Sequence, residues 1–211
     1  MKIAFIGYGQ VGAPLADHLQ RLGHQVTLAA NDPSSENLKN ALGKNADLNV
    51  AAPMDAVRNA EVVFLATPFQ ANESALKAVV DEISGKILVD CTNPVGPNLS
   101  HGLNSVQSGS EMIQTLLPET KVVKAFTIYG FENFQDSAYP AYNVKPVMMY
   151  CGKDPVAKEV VGKMISELGW DPLDVGGLEQ ALHLEHMTLL WVRMVRANGH
   201  SSNMVWAALR R

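Results

Sequence analysis

The chain has few of the features that are typical of secreted proteins, membrane proteins or proteins stabilised by a metal ion. Its 211 residues include only two cysteines, Cys91 and Cys151, which are 60 residues apart and form no CxxC pair. A disulfide scaffold and a zinc ribbon are therefore excluded, and free cysteines are typical of a reducing, cytoplasmic location. No apolar run reaches the roughly 18 residues that a membrane span needs, and the N-terminus lacks the longer apolar core of a signal peptide.

Charge is also scarce, since only 18% of the residues are charged. Seventeen Lys and Arg residues stand against 21 Asp and Glu residues, which gives a net charge of −4 and no basic cluster. We therefore expect no nucleic-acid partner and no membrane partner. The hydrophobic share of 47% is enough for a substantial core in one large domain with, at most, an appendage.

Short apolar runs alternate with helical patterns along most of the chain. The predicted strands are Lys2–Ile6, Gln25–Ala29 and residues 62–66, 87–89, 122–125, 147–151 and 170–175. This alternation predicts an α/β fold with a doubly wound, mostly parallel sheet. Residues 108–111 (SGSE) predict a capping box, and Asp154 with Pro155 predicts another helix start. We assign residues 1–176 to this α/β domain.

The pattern changes after residue 176. Residues 178–197 are predicted to form one long helix, and Ser201 is predicted to begin a short last helix. We therefore assign residues 177–211 to a small helical C-terminal appendage that is not an independent domain.

The long C-terminal helix is apolar nearly all round after Met187. Such a helix needs cover on more than one side, and exposed Leu190 and Trp191 would form an unusual apolar patch on a monomer. We therefore predict a homodimer in which this helix packs on the partner subunit. The alternative is that the short last helix folds back and completes the cover.

A GxGxxG motif, GYGQVG at residues 7–12, directly follows the first strand and opens an amphipathic helix. In this context Gly7 allows a tight turn, Gly9 lets the backbone approach a pyrophosphate, and Gly12 lets the helix pack on the strand. The motif predicts a dinucleotide site at the helix N-terminus. The alternative is an ordinary strand–helix turn.

The end of the second strand bears on which dinucleotide binds. NAD-binding proteins usually carry an acid there, whereas this chain has Ala30. Asp32 is either that ribose-binding acid or, with Pro33, the start of the next helix. Three short polar side chains offer hydrogen bonds to a 2′-phosphate: Asn31, Ser34 and Ser35. Because no arginine is present, we predict that NADP(H) binds better than NAD(H) by less than about 3 kcal/mol.

Ligands of doubly wound sheets lie at the C-terminal ends of the strands. We expect Thr67 and Pro68 to form a shelf for adenosine or ribose, and Asn93 and Pro94 to hold a rigid loop. The alternative is that these residues only form turns between secondary-structure elements. Six of the fourteen aromatic residues follow within residues 126–142: Phe126, Tyr129, Phe131, Phe134, Tyr139 and Tyr142. They either pack under their own loop or offer flat faces to a ring ligand such as a flavin.

No residue pattern indicates a catalytic acid, base or nucleophile. His183 and His186 supply only two potential ligands and are expected at the surface or an interface, so we predict no metal site. His101 is interpreted as a solvated loop histidine, with a place facing the substrate as the alternative. Cys91 and Cys151 are predicted to be small buried residues.

Four segments in order carry a resemblance to a known family: residues 7–12 (GYGQVG), 66–68 (ATP), 90–95 (DCTNPV) and 123–126 (VKAF). Together they resemble the coenzyme F420-dependent NADP oxidoreductase family, and they are similar to the N-terminal cytoplasmic domain of STEAP-type metalloreductases. The resemblance covers nearly the whole chain. It implies a Rossmann fold, NADP(H), and hydride transfer between the nicotinamide and a flavin or F420.

The resemblance also implies positions for the cofactor. The pyrophosphate would lie on Gly7, Tyr8, Gly9, Gln10 and Val11, the 2′-phosphate at Ala30 and Asn31, and the nucleotide cleft along Thr67, Pro68, Asn93 and Thr127. Family members often have Ser-Arg at the place of Ala30 and Asn31. We therefore expect an NAD(P)H-dependent oxidoreductase with a small-molecule redox acceptor. The alternatives are a non-catalytic NADP(H)-binding sensor and a reductase of a small imine or carbonyl substrate.

Overall fold

Eight strands form one sheet in the computed structural model, which describes residues 1–211. The strands are β1 (Lys2–Ile6), β2 (Gln25–Ala29), β3 (Asn49–Ala51), β4 (Val62–Leu65), β5 (Ile87–Asp90), β6 (Lys121–Lys124), β7 (Val147–Gly152) and β8 (Asp171–Asp174). Their order across the sheet is β3-β2-β1-β4-β5-β6-β7-β8. Every adjacent pair is parallel except β6 with β7. The predicted fold class is confirmed.

This order places a crevice beside the first strand. The chain leaves β1 toward β2 and later returns on the other side of β1 as β4. The loops after β1 and β4 therefore diverge, and such a switch point is where doubly wound sheets bind their ligands. Residue pairing across it is regular, with Ile6 opposite Leu65. The glycine motif and the segment that begins with Ala66 follow directly on these two strands.

Eight α-helices cover the sheet. They are α1 (Gly12–Arg21), α2 (Glu36–Lys44), α3 (Pro53–Asn59), α4 (Asn72–Lys77), α5 (Val80–Ile83), α6 (Gly109–Leu116), α7 (Pro155–Glu167) and α8 (Ala181–Val192). The helix starts predicted at Ser108 and at Asp154 are both confirmed. Ser108 and Glu111 form the capping box of α6, and the Asp154 carboxylate accepts a hydrogen bond from the Ala157 N–H at the start of α7. No helix has both the length and the apolar character that a membrane crossing requires.

The central strands form the core because their residues alternate between two covered faces. All four residues of β4 are buried, and Phe64 stacks on Phe5 of β1 with ring centroids 4.6 Å apart. Such a run without polar residues is typical of a strand buried on both faces. The core therefore fixes β1 and β4, on which the glycine motif is mounted.

The C-terminal segment agrees with the sequence prediction up to residue 197 and departs from it afterwards. The predicted long helix is confirmed over residues 178–197: it begins with a 3₁₀ turn at Leu178–Gln180, continues as α8 over Ala181–Val192, and ends with a π-helical turn at Arg193–Ala197. The predicted last helix from Ser201 is wrong, because the chain runs without helix there. Met204, Val205 and Trp206 are three apolar residues in succession, a spacing that suits an extended chain rather than one face of a helix.

The extended tail nevertheless covers α8. The Trp191 indole N–H donates to the Met204 carbonyl at 2.7 Å, and the Trp206 indole N–H donates to the Ile128 carbonyl at 3.1 Å. The Trp206 carbonyl accepts from the backbone N–H of Val147 at 2.8 Å, which places the tail beside β7. The expectation that Trp191 is exposed on the monomer is therefore wrong, since its side chain is buried, while Leu190 remains 52% exposed.

Of the two interpretations of Asp32, the one that makes it the start of the next helix is wrong. Asp32 does not cap α2, whose first flanking residue is Ser35. The Asp32 carboxylate instead accepts hydrogen bonds from the Ser34 backbone N–H at 2.8 Å and the Ser34 hydroxyl at 2.6 Å. Asp32 thus folds the loop after β2 back on itself, as short acidic side chains commonly do.

Candidate functional site

The first and third glycines of the motif are required by close backbone contacts. A Cβ on Gly7 would lie 2.6 Å from the Ala66 carbonyl carbon, and the φ of Gly7 is +97°. A Cβ on Gly12 would lie 2.1 Å from the Gly7 carbonyl oxygen. These two positions pack the motif tightly on itself and on the end of β4, so only glycine fits.

Gly9 differs from its neighbours because its missing side chain faces empty space. A Cβ there would meet no atom within 4 Å, and its φ is not left-handed. The backbone N–H groups of Gln10, Val11 and Gly12 donate to no acceptor in the protein. Free N–H groups at the start of α1 beside an open position are suited to an anion, because the helix N-terminus carries partial positive charge.

A cleft of about 850 Å³ opens in front of this motif. It brings together nine of the predicted site residues: Gly7, Tyr8, Gly9, Gln10, Val11, Asn31, Ser35, Thr67 and Pro68. Gly12 and Ala30 are buried behind its wall, and Ser34 is exposed beside Asp32 and does not line the cleft. The cleft and its open glycine therefore fit a dinucleotide.

The cleft carries a single charged side chain, which follows β2. Asp32 lines the cleft, and no lysine or arginine does. Hydrogen bonds from the Ser34 side chain and then the Ser34 backbone hold the pKa of Asp32 below its usual value. An ionised carboxylate at this place accepts hydrogen bonds from a ribose hydroxyl, while Asn31 and Ser35 in the same cleft offer hydrogen-bond donors to a 2′-phosphate.

The remaining predicted residues lie one and two strands further along the sheet. Asn93 and Pro94 follow β5 and Thr127 follows β6; none of the three lines the glycine cleft. The Thr188 hydroxyl of α8 lies 3.1 Å from Asn93 Oδ1 and 2.8 Å from the Thr127 carbonyl. The Thr127 hydroxyl is buried without a hydrogen-bond partner. These contacts fasten α8 to the strand ends, and a role in cofactor binding stays a prediction.

The aromatic loop divides between the two interpretations. Phe126 and Phe134 pack edge-on against Trp170, with ring centroids 5.8 Å and 6.0 Å from it, and all three are buried. Packing therefore accounts for this part of the loop. Phe131 differs, because it is half-buried and lines the glycine cleft, with the guanidinium of Arg196 5.9 Å from its ring centre.

A cluster of buried charged groups lies directly behind the strand ends. Lys124 Nζ is 3.1 Å from Asp90 Oδ2 and 3.0 Å from Glu185 Oε1, and none of the three side chains is more than 1% exposed. Burial lowers the pKa of Lys124, but the two carboxylates raise it more, so its pKa lies above the usual value of 10.5. Two carboxylates thus share one ammonium group in the core.

His101 completes this cluster, so its interpretation as a solvated loop histidine is wrong. Its side chain is 3% exposed, and its Nε2 lies 2.8 Å from Glu185 Oε2. The backbone N–H groups of Leu103 and Ser105 both donate to His101 Nδ1 at 3.2 Å. Because Nδ1 accepts, the ring proton lies on Nε2 and is donated to Glu185. The Gly109 N–H at the start of α6 also donates to Glu185 at 2.9 Å.

Sequence reasoning missed the cluster, although a signal was present. Asp90 and Lys124 each follow a run of apolar residues at the end of a strand, and they lie directly opposite each other in the register of β5 and β6. Charges of opposite sign at the ends of adjacent buried strands predict a pair, because an unpaired charge is too costly there. Glu185 is buried, whereas the two histidines on the same helix that the sequence analysis considered, His183 and His186, are both exposed.

The two cysteines are buried and free, as predicted. Burial, followed by the charge of Asp90, raises the pKa of the Cys91 thiol well above its usual value, and burial raises that of Cys151 to about 12. Both thiols are therefore protonated near neutral pH and chemically inert.

Comparison with known proteins gives consistent results. Residues 2–94 match the family model for coenzyme F420-dependent NADP oxidoreductases. A solved structure from Arthrobacter sp. FB24, provisionally described as an F420-dependent NADP reductase, is 31% identical, and the two chains cover each other fully with a TM-score of 0.86. The F420-dependent NADP reductase of Methanocaldococcus jannaschii is 28% identical over 206 residues, which is 91% of each chain.

The metalloreductase STEAP3 of Rattus norvegicus is 32% identical over 189 residues. This match spans 89% of the present chain but only 36% of the rat protein. The similarity that extends over whole chains is therefore to the F420-dependent reductases. The chain belongs to the coenzyme F420-dependent NADP oxidoreductase family and is an NADP-dependent oxidoreductase.

Proposed function

We propose that this protein transfers a hydride between NADP(H), bound in the glycine cleft, and a planar redox partner such as a flavin or F420. The pyrophosphate is assigned to the free N–H groups around Gly9, and the adenosine half to the side of Asn31 and Ser35. Thr67 and Pro68 would form the wall between the two halves. Support comes from the open position at Gly9 and from the volume of the cleft, about 850 Å³.

The observation that carries the choice of partner is the aromatic side chain of Phe131 in the cleft. Phe131 lines the cleft with an aromatic side chain, and a stacked ring is the ligand that such a side chain holds best. Arg196 lies over the same ring and forms an ion pair with Glu132, which braces this wall. The redox partners of the named relatives, F420 and NADP, are consistent with a ring-to-ring transfer.

The nicotinamide, when bound, supplies or accepts the hydride. Transfer between two rings requires alignment and the exclusion of water more than acid or base catalysis. The cleft accordingly needs no proton donor, and no histidine or lysine lines it. The residues of this chain therefore act by binding and orienting the two rings.

Oxidation of NADPH and NADH should be followed with FMN, FAD, F420, ferric chelates and quinones as acceptors. We expect oxidation with at least one ring-type acceptor. NADPH binding without oxidation by any acceptor would instead support a sensor, and turnover only with imines or carbonyls would support the other alternative. A Phe131→Leu variant should lose activity with the ring acceptor while its affinity for NADPH stays unchanged.

Two further parts of the proposal concern assembly and location. We propose a homodimer, and the observation that supports it is the exposed side chain of Leu190, since Trp191 is buried. We also propose a cytoplasmic location, which suits the free thiols. Light scattering at micromolar concentration tests the dimer, since a mass near 22.9 kDa would refute it. If a dimer forms, Leu190→Glu should dissociate it.

A further inference from the structure

The buried carboxylate of Asp90 fixes the direction of a hydrogen-bond chain that ends at the cleft. Its Oδ1 accepts from the Thr92 N–H at 2.9 Å and the Thr92 hydroxyl at 2.7 Å. Its Oδ2 accepts from the Ser110 hydroxyl at 2.5 Å and from Lys124 Nζ at 3.1 Å. With four donors around it and no exposure to solvent, the carboxylate accepts the only hydroxyl proton of Thr92.

The orientation of the Asn72 amide follows from this. Because the Thr92 hydroxyl has already donated its proton, it can only accept from Asn72. Asn72 Nδ2 accordingly lies 2.8 Å from Thr92 Oγ1, and both side chains are buried. The amide oxygen of Asn72 therefore faces the other way, where it lies 2.7 Å from Thr67 Oγ1. A reversed amide would place two acceptors, the Asn72 oxygen and the Thr92 hydroxyl oxygen, against each other.

Thr67 is the last member of this chain and lines the cleft. Its hydroxyl donates its single proton to Asn72, so only oxygen lone pairs remain for a ligand. The residue also lies beside the glycine motif, because a Cβ on Gly7 would be 2.7 Å from the Thr67 nitrogen. A hydroxyl that can only accept repels a phosphate oxygen and attracts a neutral donor.

We propose that Asn72 is a positioning residue that holds the Thr67 hydroxyl as a hydrogen-bond acceptor for a sugar hydroxyl or amide N–H of the bound dinucleotide. The inference rests on the proposed binding of NADP(H) in the glycine cleft. Thr67 would thereby exclude phosphate from its part of the cleft, while the free N–H groups of Gln10 and Val11 attract it. The two kinds of polar group set the register of the ligand along the cleft.

A double-mutant cycle tests this inference with NADPH affinity as the readout. Thr67→Val removes the acceptor and should raise the Kd about tenfold, whereas Thr67→Ser keeps it and should stay within about twofold. Asn72→Leu releases the Thr67 hydroxyl and should raise the Kd about three- to tenfold. In the Thr67→Val background, Asn72→Leu should change the Kd by less than about twofold, because no hydroxyl remains to be oriented.

An equal loss from Asn72→Leu in both backgrounds would overturn the proposal, because the amide would then act on structure alone. A Thr67→Ser variant as weak as Thr67→Val would do the same. If Asn72→Leu fails to fold, Thr92→Val replaces it, since Thr92 acts on the cleft only through Asn72. Gly9→Val distinguishes the binding of NADPH in the glycine cleft from the role of Thr67. If Gly9→Val binds NADPH as well as the wild type does, the cleft is not the cofactor site. If Gly9→Val loses NADPH binding but Thr67→Val keeps it in full, only the role of Thr67 is refuted.

Discussion

Replacement of Gly9 by valine is the most direct test of the cofactor site. The position has an ordinary φ, and an added Cβ meets no atom within 4 Å. The free protein should therefore accept the larger side chain without strain. The same side chain would occupy the space in front of the free N–H groups of Gln10 and Val11, where the pyrophosphate is proposed to lie.

The magnitude follows from the hydrogen bonds that would be lost. A hydrogen bond to a charged group contributes about 1.5–3 kcal/mol, so the loss of two would cost about 3–6 kcal/mol. At about 1.4 kcal/mol for each tenfold change, the Kd for NADPH should rise by about 10²- to 10⁴-fold. The thermal midpoint of the unliganded protein should stay unchanged.

Two other glycines supply matched controls for titration calorimetry and thermal unfolding. Gly43→Val, on the exposed face of α2, also meets no atom within 4 Å and should keep both affinity and stability. Gly12→Val should unfold the protein, since its Cβ would lie 2.1 Å from the Gly7 carbonyl oxygen. An unchanged NADPH affinity in a folded Gly9→Val protein would refute the assignment of the loop.

Three further outcomes are expected. Asn31→Arg should increase the ratio of the Kd for NADH to the Kd for NADPH, because it adds a cation to a cleft whose only charged side chain is Asp32. A weaker affinity of this variant for NADPH would show that the 2′-phosphate binds elsewhere. Glu185→Gln should lower the free energy of unfolding by about 3–5 kcal/mol in urea titrations, because it leaves Lys124 and His101 short of an acceptor, and a loss near zero would contradict the role of the cluster. Both cysteine thiols should react with an aromatic disulfide reagent at pH 8 only after denaturation, and rapid reaction of the native protein would show that burial does not protect them.

The sheet could be predicted from the sequence because its strands are continuous apolar runs. Seven of the eight strands were predicted, and β3 was missed. That strand is a three-residue edge strand whose first two residues are exposed, so it carries no apolar signal. The prediction of a last helix in the tail was wrong for a different reason. Its apolar residues do not form a helix of their own, since they cover Trp191 and hydrogen-bond to Val147, and both are tertiary contacts.

The glycine loop could be predicted because its chemistry lies in consecutive residues. The charged cluster could not be assembled in the same way, because His101 and Glu185 are 84 residues apart and meet only when α8 docks on the loop after β5. Asp32 shows the same limit on a small scale. A proline directly after it favoured a helix cap, but hydrogen bonds to Ser34 hold the carboxylate in the cleft instead. A local preference for a helix cap is overridden where the folded chain offers the side chain a better hydrogen-bond partner.

The extended tail has a consequence for how the chain folds during synthesis. The Trp191 indole and the backbone N–H of Val147 find their partners only in Met204 and Trp206. While these residues are still inside the ribosome, β7 lacks this contact and the face of α8 around Trp191 has no cover. The emerging chain therefore exposes an apolar helix until residue 206 has left the exit tunnel. That interval is when a chaperone would bind it, and also when two nascent chains could aggregate.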